Sequence, residues 1–160
     1  MNGEKNETVS LRKAEIRDAQ AIASFNVKMA AETEGKKLAP EVVLRGVKAV
    51  IKDPHKGFYL VAEIRKPEPC VVGQLMVTFE WSDWRNRNFW WIQSVYVETE
   101  HRGRGIFGQL FRHLEEMARW RKDVAGLRLY VEKHNQQARE IYESLGMVQT
   151  YYDMLEMEFG

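Results

Sequence analysis

Residues 102–108 read RGRGIFG, and this short stretch decides the fold. Residues 89–97 before it are dense in aromatic and branched side chains, which predicts a strand in the middle of a sheet. After it, apolar residues recur at helical spacing from Ile106 to Ala118, which predicts an amphipathic helix packed on that sheet. A strand, a short link and a helix bring backbone N–H groups and the positive end of a helix dipole to one point. The stretch therefore predicts an anion-binding turn.

Glycines and arginines make this turn suitable for a diphosphate. The glycines let the main chain approach an anion, and Arg102 and Arg104 can pair with phosphate oxygens. The three glycines are Gly103, Gly105 and Gly108. They can also serve only to turn the chain, and they match the dinucleotide-binding fingerprint as well. That fingerprint needs an acidic residue about 20 positions later on the next strand, where this chain has Leu127 and Arg128.

The elements around the turn predict an α+β fold, an α/β sandwich. Apolar periodicity and turn residues place them in the following order. They are a strand at 9–14, a helix ending in a polar loop at 32–37, a second helix from Pro40 to Asp53, strands at 58–62 and 71–80 paired as a hairpin, the strand and helix around the turn, a strand at 127–131, a helix capped by Asn135 and closed by Gly146 with Ala138, Ile141, Tyr142 and Leu145 on its inner face, and an extended segment at 147–159.

Composition limits the class of protein. With 160 residues, 44% hydrophobic and 29% charged, the chain predicts one domain at 9–160 after a flexible N-terminus at 1–8. A net charge of +1 gives no global field for nucleic acid, and neither a secretion signal nor a membrane span is evident. Cys70 is the only cysteine, which excludes an internal disulfide and favours a cytoplasmic location. The four histidines lack a recognisable ligand spacing, so we predict no metal site.

Two motifs resemble those of the GNAT family of acyl-CoA-dependent N-acetyltransferases. The first has Arg or Gln, two residues, Gly, one residue, and Gly or Ala; here Arg102 and Gly105 match, whereas Phe107 replaces the small residue. The second is an Asn, then a helix with Ala and Tyr, then Gly-Phe; here the residues are Asn135, Ala138, Tyr142, Gly146 and Met147. The stretch from Gly73 through Trp81, Trp84, Gln93 and Arg102 is also similar to the polyamine and thialysine acetyltransferase branch.

The resemblance implies a mixed, mostly antiparallel sheet flanked by helices, splayed beside its central strand. It implies acetyl-CoA as co-substrate, a small-molecule amine as acceptor and a homodimer. The residues expected to bind coenzyme A are Val95, Val97, Arg102, Gly103, Arg104, Gly105, Ile106, Phe107, Gly108, Asn135, Ala138 and Tyr142.

Acyl transfer to an amine requires a neutral amine and a proton for the departing thiolate. Tyr142 has a reference pKa of about 10, near that of a thiol, and the family uses a Tyr here as the acid. Tyr142 can instead be an inward-facing aromatic. Gln93 stands where the polyamine branch has a Glu, and an amide cannot accept a proton at neutral pH. We therefore expect Gln93 to orient water or substrate.

Acids and aromatics are the candidates for acceptor binding. The amine proton can pass through water to Glu80, Asp83, Glu32 or Glu34, although each of these can be a solvated surface charge. Aromatic rings attract ammonium groups, so an aromatic cluster can line a pocket, or it can be core or dimer contact. This cluster consists of Trp81, Trp84, Phe89, Trp90 and Trp91. The residues predicted to bind the acceptor are Glu34, Glu80, Trp84 and Trp91.

The sequence thus predicts an N-acetyltransferase acting on a primary amine of a small molecule, polyamine or amino-acid-like, by direct attack in a ternary complex. Cys70 has no evident base, which disfavours a covalent enzyme intermediate. The alternative is a non-catalytic coenzyme A-binding module or sensor.

Overall fold

The computed structural model describes residues 8–65 and 67–159. Most of the predicted flexible N-terminus, 1–8, lies outside the described residues. The chain divides into two compact units, one ending at Tyr130 and one beginning at Val131. Across the described ranges, every helix is too short or too polar to cross a bilayer.

The first unit is built around a five-stranded sheet with the strand order β1-β2-β3-β4-β5. All neighbouring strands are antiparallel except β4 and β5, which are parallel. This confirms the predicted α+β class with a mixed, mostly antiparallel sheet. The elements are β1 (Val9–Lys13), α1 (Ala19–Glu34), α2 (Pro40–Lys52), β2 (Phe58–Arg65), β3 (Pro69–Ser82), β4 (Arg87–Val97), α3 (Ile106–Arg119) and β5 (Val124–Leu129).

Helices cover both faces of the sheet. Tyr59 and Val61 of β2 pack in one core cluster with α1 and α2. Because side chains alternate along a strand, Leu60 and Ala62 point to the other face, where α3 contacts the sheet and both are fully buried. The α1–α2 pair and α3 therefore lie on opposite faces.

Element boundaries differ from the sequence-based ones where local polarity misled the prediction. The polar run at 32–37 was expected to be a loop, yet α1 continues to Glu34 and ends at Gly35 in the left-handed conformation, φ 61°. The Thr33 hydroxyl donates to the Met29 carbonyl at 2.8 Å, so this polar residue is accommodated in the last turn. The strand predicted at 127–131 begins earlier, at Val124.

The second unit contains α4 (Gln136–Ser144). As predicted, Asn135 caps it: the Asn135 Oδ1 accepts a hydrogen bond from the Ala138 N–H at 3.0 Å. Gly146, with φ 91°, follows the end of the helix. Ile141, expected on the inner face, is exposed, and residues 147–159 form no regular element.

A part-buried ion cluster joins the beginning of the chain to the sheet. Arg12 of β1 binds both Asp18 carboxylate oxygens, at 2.7 and 2.9 Å, and Glu63 of β2 at 2.6 Å. Asp18 also accepts the Glu15 N–H at 2.7 Å. Burial acts to raise the pKa of Asp18, but the hydrogen bonds from Arg12 and Glu15 outweigh it and hold that pKa below its ordinary value.

Asp18→Asn should destabilise the fold by about 2 kcal/mol at pH 7, because it breaks a buried bidentate pair. A carboxylate whose pKa is depressed in the folded state stabilises the fold above the unfolded-state pKa of about 3.9 and loses that contribution as pH falls through the folded pKa. The gap between parent and variant in urea unfolding should therefore shrink below about pH 4. Arg17→Ala, which breaks the exposed Glu15–Arg17 pair and leaves the Arg12–Asp18 hydrogen bonds in place, is the control and should cost under ~0.5 kcal/mol. An equal loss in both variants would contradict this account.

Candidate active site

The turn predicted to bind an anion begins where β4 ends. Gly103 and Gly105 have φ values of 75° and 74°, which favour glycine, and α3 begins directly after them. An added Cβ at either glycine would meet nothing within 4 Å. The first turn of α3 has no acidic residue and no side-chain cap. Its N-terminal amides and the positive dipole end thus face an open surface, which suits a diphosphate.

The last part of the turn departs from the family pattern, and the helix accommodates the departure. The Phe107 ring packs along α3, with its centroid 6.1 Å from that of Phe111. A Cβ at Gly108 would lie 3.4 Å from Nη1 of Arg112, so this guanidinium lies beside the first helical turn. Arg112 is a cation that the sequence did not single out, although its i+4 spacing from Gly108 is a usable signal.

Arg102 connects the turn to α1. Its Nε donates to the Val97 carbonyl and its Nη2 donates to Glu32, both at 2.8 Å. The Tyr96 hydroxyl donates to the other Glu32 oxygen at 3.1 Å. The hydrogen bond from Arg102, followed by that from Tyr96, lowers the pKa of Glu32, although partial desolvation acts to raise it. Glu32 is therefore ionised at neutral pH. The Arg102 guanidinium binds both the Glu32 carboxylate and the Val97 carbonyl, so it is not directed at the turn alone.

A bulge interrupts β4 close to the turn. The β3–β4 register shifts between Gln74 and Met76, and Ser94 has φ 51°, unusual for a residue with a side chain. Pairing of β4 with β5 stops at Ile92, before Ser94 and Val95. The sheet therefore opens beside Val95, the region from which the resemblance expects main-chain hydrogen bonds to coenzyme A.

Gln74 holds this bulge and was missed by sequence reasoning. It is fully buried, and its Nε2 donates to the Ser94 carbonyl at 3.1 Å and to Asn26 Oδ1 at 2.7 Å. When a buried amide donates to the carbonyl of a residue with an unusual backbone conformation, it stabilises that conformation relative to regular strand pairing. The available signal was a lone polar residue inside the apolar run of residues 71–77.

Gln93 of β4 and Thr78 of β3 are diagonal neighbours, because Gln93 pairs with Met76 and Thr78 with Trp91. The Gln93 Nε2 donates to the Thr78 hydroxyl at 2.7 Å. This bond fixes the Gln93 side chain next to the bulge and leaves its carbonyl oxygen as an acceptor.

Glu80 and Trp91 form a second polar group further along the same two strands. The Trp91 Nε1 donates to Glu80 at 2.9 Å, and Arg128 of β5 forms an ion pair with Glu80. The Trp91 ring also contacts that of Tyr130, with centroids 4.4 Å apart. The negative charge of Glu80 is thus compensated within the sheet.

The remaining aromatics separate into core and surface. Trp90 is buried and packs edge-on against Phe58, with centroids 5.3 Å apart. Trp84 is 86% exposed in the β3–β4 turn, roughly 25 Å along β4 from Ser94 at about 3.3 Å per residue. The structure therefore does not bring Trp84 to the bulge.

A cavity of about 410 Å³ lies next to the bulge, between α1 and α2. Glu34, a predicted acceptor-binding residue, lies at its edge and pairs with Lys36 at 2.7 Å. Its lining residues are Asn26, Met29, Ala30, Thr33, Glu34, Lys36, Leu38, Val43, Gly46, Val47 and Ser94.

Tyr142, Asn135 and Ala138 belong to the second unit. The Asn135 side chain already accepts the Ala138 N–H. Burial raises the pKa of the Tyr142 hydroxyl above its ordinary value, so it carries its proton at neutral pH. Among residues 8–65 and 67–159, no group of three or more metal-ligating side chains is present.

Comparison with known proteins identifies the family. A model of the Acetyltransferase (GNAT) family matches residues 20–147. The thialysine N-epsilon-acetyltransferase of Bos taurus is 38% identical over 92 residues, covering 54% of this chain and 53% of that protein. Its Sus scrofa counterpart is 36% identical over 93 residues, with the same coverage. The chain thus spans about half the length of these curated relatives.

Solved structures extend the match to nearly the whole chain. A possible acetyltransferase from Clostridium difficile 630 is 46% identical and superposes with a TM-score of 0.88, over 96% of this chain and 99% of that one. A predicted acetyltransferase from Clostridium acetobutylicum, whose structure is described with acetyl-CoA, has a TM-score of 0.73 over 94% of this chain and 96% of that one; at 19% identity it shares the fold alone. Because the family model covers well over half of the sequence, the chain belongs to the acetyltransferase (GNAT) family.

Proposed function

We propose that the protein is an N-acetyltransferase that moves the acetyl group of acetyl-CoA to a primary amine of a small molecule, an amino-acid-like compound or a polyamine. One observation carries the proposal. The last part of β4 has a bulge and no pairing with β5, and it leads through the glycine turn to the open N-terminus of α3. Family membership supports this use of the turn, and the names of the thialysine relatives support an amine acceptor.

The residues around the turn fit coenzyme A. The open space at Gly103 and Gly105 leaves room for a diphosphate beside the backbone, and Arg104 and Arg112 add nearby positive charge. Val95 and the Val97 N–H are the main-chain groups that we assign to the pantetheine arm beyond the end of the β4–β5 pairing, because the Val97 carbonyl already accepts a hydrogen bond from Arg102. Bound acetyl-CoA supplies the activated acetyl thioester.

The chain's own residues supply positioning and proton transfer. Gln93, fixed by Thr78, orients a water or the acceptor amine at the bulge. Glu32 is kept ionised by the hydrogen bond from Arg102, the first residue of the turn, and takes the amine proton through water. Tyr142 carries its proton at neutral pH and gives it to the departing thiolate.

We further propose direct attack in a ternary complex, a homodimer and a cytoplasmic location. Cys70 is an exposed free thiol at the beginning of β3, several residues before the bulge region of that strand. This position does not support a covalent intermediate, and the free thiol does not support an oxidising compartment.

The test of function is thiol release. The protein is incubated with acetyl-CoA and a panel of primary amines, free coenzyme A is followed with a thiol reagent, and the acetylated amine is identified by mass spectrometry. Amine-dependent thiol release is the expected result. Tight acetyl-CoA binding without release for any amine would instead favour a non-catalytic binding module.

Gly105→Ala should weaken acetyl-CoA binding by about tenfold, roughly 1.4 kcal/mol, measured by calorimetry, because a Cβ would project from a left-handed residue beside the diphosphate. Gly35→Ala is the matched control: it has a similar φ of 61° and the same open surroundings but lies at the end of α1. Both should lose about 1 kcal/mol of stability, and only Gly105→Ala should lose affinity. Equal acetyl-CoA affinity in the two variants would argue against a diphosphate at this turn.

Tyr142→Phe should lower kcat about 100-fold and leave the acetyl-CoA Kd within about twofold, because it removes the proton donor and little of the packing. The pKa of Tyr142 is raised above its ordinary value of about 10, so Tyr142 stays protonated up to that pH. The kcat that depends on this acid should therefore decline only in solution more alkaline than about pH 10. Tyr151→Phe, at a tyrosine that is almost fully exposed, should leave kcat unchanged. Unchanged kcat in Tyr142→Phe would remove Tyr142 from the mechanism.

A further inference from the structure

The cavity between α1 and α2 has a mostly hydrocarbon lining. Its volume of about 410 Å³ is enough for a small amine. Val47 is fully buried and also belongs to the core cluster. The apolar side chains that line the cavity are Met29, Ala30, Leu38, Val43 and Val47.

Charge is confined to the edge of the cavity and is balanced there. Glu34 and Lys36 are the charged residues of its lining; they pair with each other at 2.7 Å, and both side chains are more than half exposed. An ammonium group placed among the apolar side chains would lose part of its hydration, and Glu34, the carboxylate of the lining, is already paired with Lys36. Such a charge is expensive to bury, so the cavity disfavours a second cationic group within it.

The polar end of the cavity is at the bulge. Asn26 and Ser94 line it, and buried Gln74 bonds both of them. The Asn26 Nδ2 in turn donates to the Tyr59 hydroxyl at 3.4 Å. These bonds fix the position of the Ser94 carbonyl. The polar end of the cavity is therefore next to the bulge, where we propose that acetyl transfer occurs.

We propose that this cavity selects an acceptor with one amine and an uncharged hydrocarbon body, which places its nitrogen near Ser94 and its body among the apolar residues. The inference rests on the proposed acetyl transfer and replaces the acceptor named there: a monoamine with an uncharged body takes the place of a polyamine or an amino-acid-like compound. The same desolvation that disfavours a second ammonium also favours the neutral form of the reacting amine, the form that attacks the thioester.

Two amines of equal length test the selectivity. With the 160-residue chain and saturating acetyl-CoA, kcat/KM for n-hexylamine should exceed that for 1,6-diaminohexane by about tenfold or more, because the two differ only in a second ammonium. A ratio near or below one would overturn the inference while leaving acetyl transfer in place. Failure to release thiol with any amine, with acetyl-CoA still bound, would overturn the proposed function and the inference with it.

Gly46 of α2 allows the cavity to be filled. It lines the cavity, its φ is not in the left-handed region, and an added Cβ would meet nothing within 4 Å. Gly46→Phe should lower kcat/KM for n-hexylamine about tenfold by occupying the volume, with acetyl-CoA affinity within about twofold. Val42→Phe, at an exposed position of α2 outside the lining, is the matched control and should change kcat/KM less than about twofold. Equal kcat/KM in parent and Gly46→Phe would contradict the proposal.

Leu38→Glu provides a second variant that does not depend on filling the cavity. Leu38 lies between α1 and α2 and is half-buried, so the fold should tolerate an acid there. A carboxylate in the lining should compensate a second ammonium and shift the preference toward 1,6-diaminohexane by about tenfold. An unchanged ratio of the two amines in Leu38→Glu would place the acceptor outside this cavity.

Discussion

The parallel pairing of β4 with β5 is the constraint on which the site depends. Parallel neighbours cannot be joined by a hairpin, so the chain must cross over the sheet, and α3 is that crossover. The N-terminus of the crossover helix then stands at the carboxyl end of β4. The same pairing stops at Ile92, so the helix dipole, the glycine turn and the open backbone of β4 meet at one place.

The bulge in β4 has its own internal support. A residue with a side chain at φ 51° is strained, and regular pairing with β3 would remove that strain. Gln74 opposes this by satisfying the Ser94 carbonyl from within the core, and its second bond to Asn26 fixes α1 against the bulge. One buried amide therefore sets both the geometry of β4 and the polar end of the cavity between α1 and α2.

Arg102 and Glu32 connect the two sides of the candidate site. Arg102 begins the turn, whereas Glu32 lies in the last turn of α1, close to the cavity residues Thr33 and Glu34. Their ion pair is exposed and contributes little to stability by itself. Its importance is positional, because it keeps the proposed proton acceptor ionised and holds the end of α1 beside the diphosphate turn.

The sequence by itself determined the features that depend on near neighbours in the chain. The glycines at 103 and 105 indicated a turn, and the structure gives both of them positive φ. The apolar spacing after Ile106 indicated α3, and Asn135 indicated the cap of α4. These predictions succeeded because backbone conformation, helical periodicity and capping involve only a few consecutive residues.

Only the tertiary structure decided which distant side chains meet. Arg102 with Glu32, Gln74 with Ser94, and Glu80 with Arg128 are pairs far apart in sequence. A polar residue in a pattern shows that it needs a partner but not which partner it finds, because that depends on strand order and on where a helix packs. For the same reason the cavity between α1 and α2 could not be read from either helix alone.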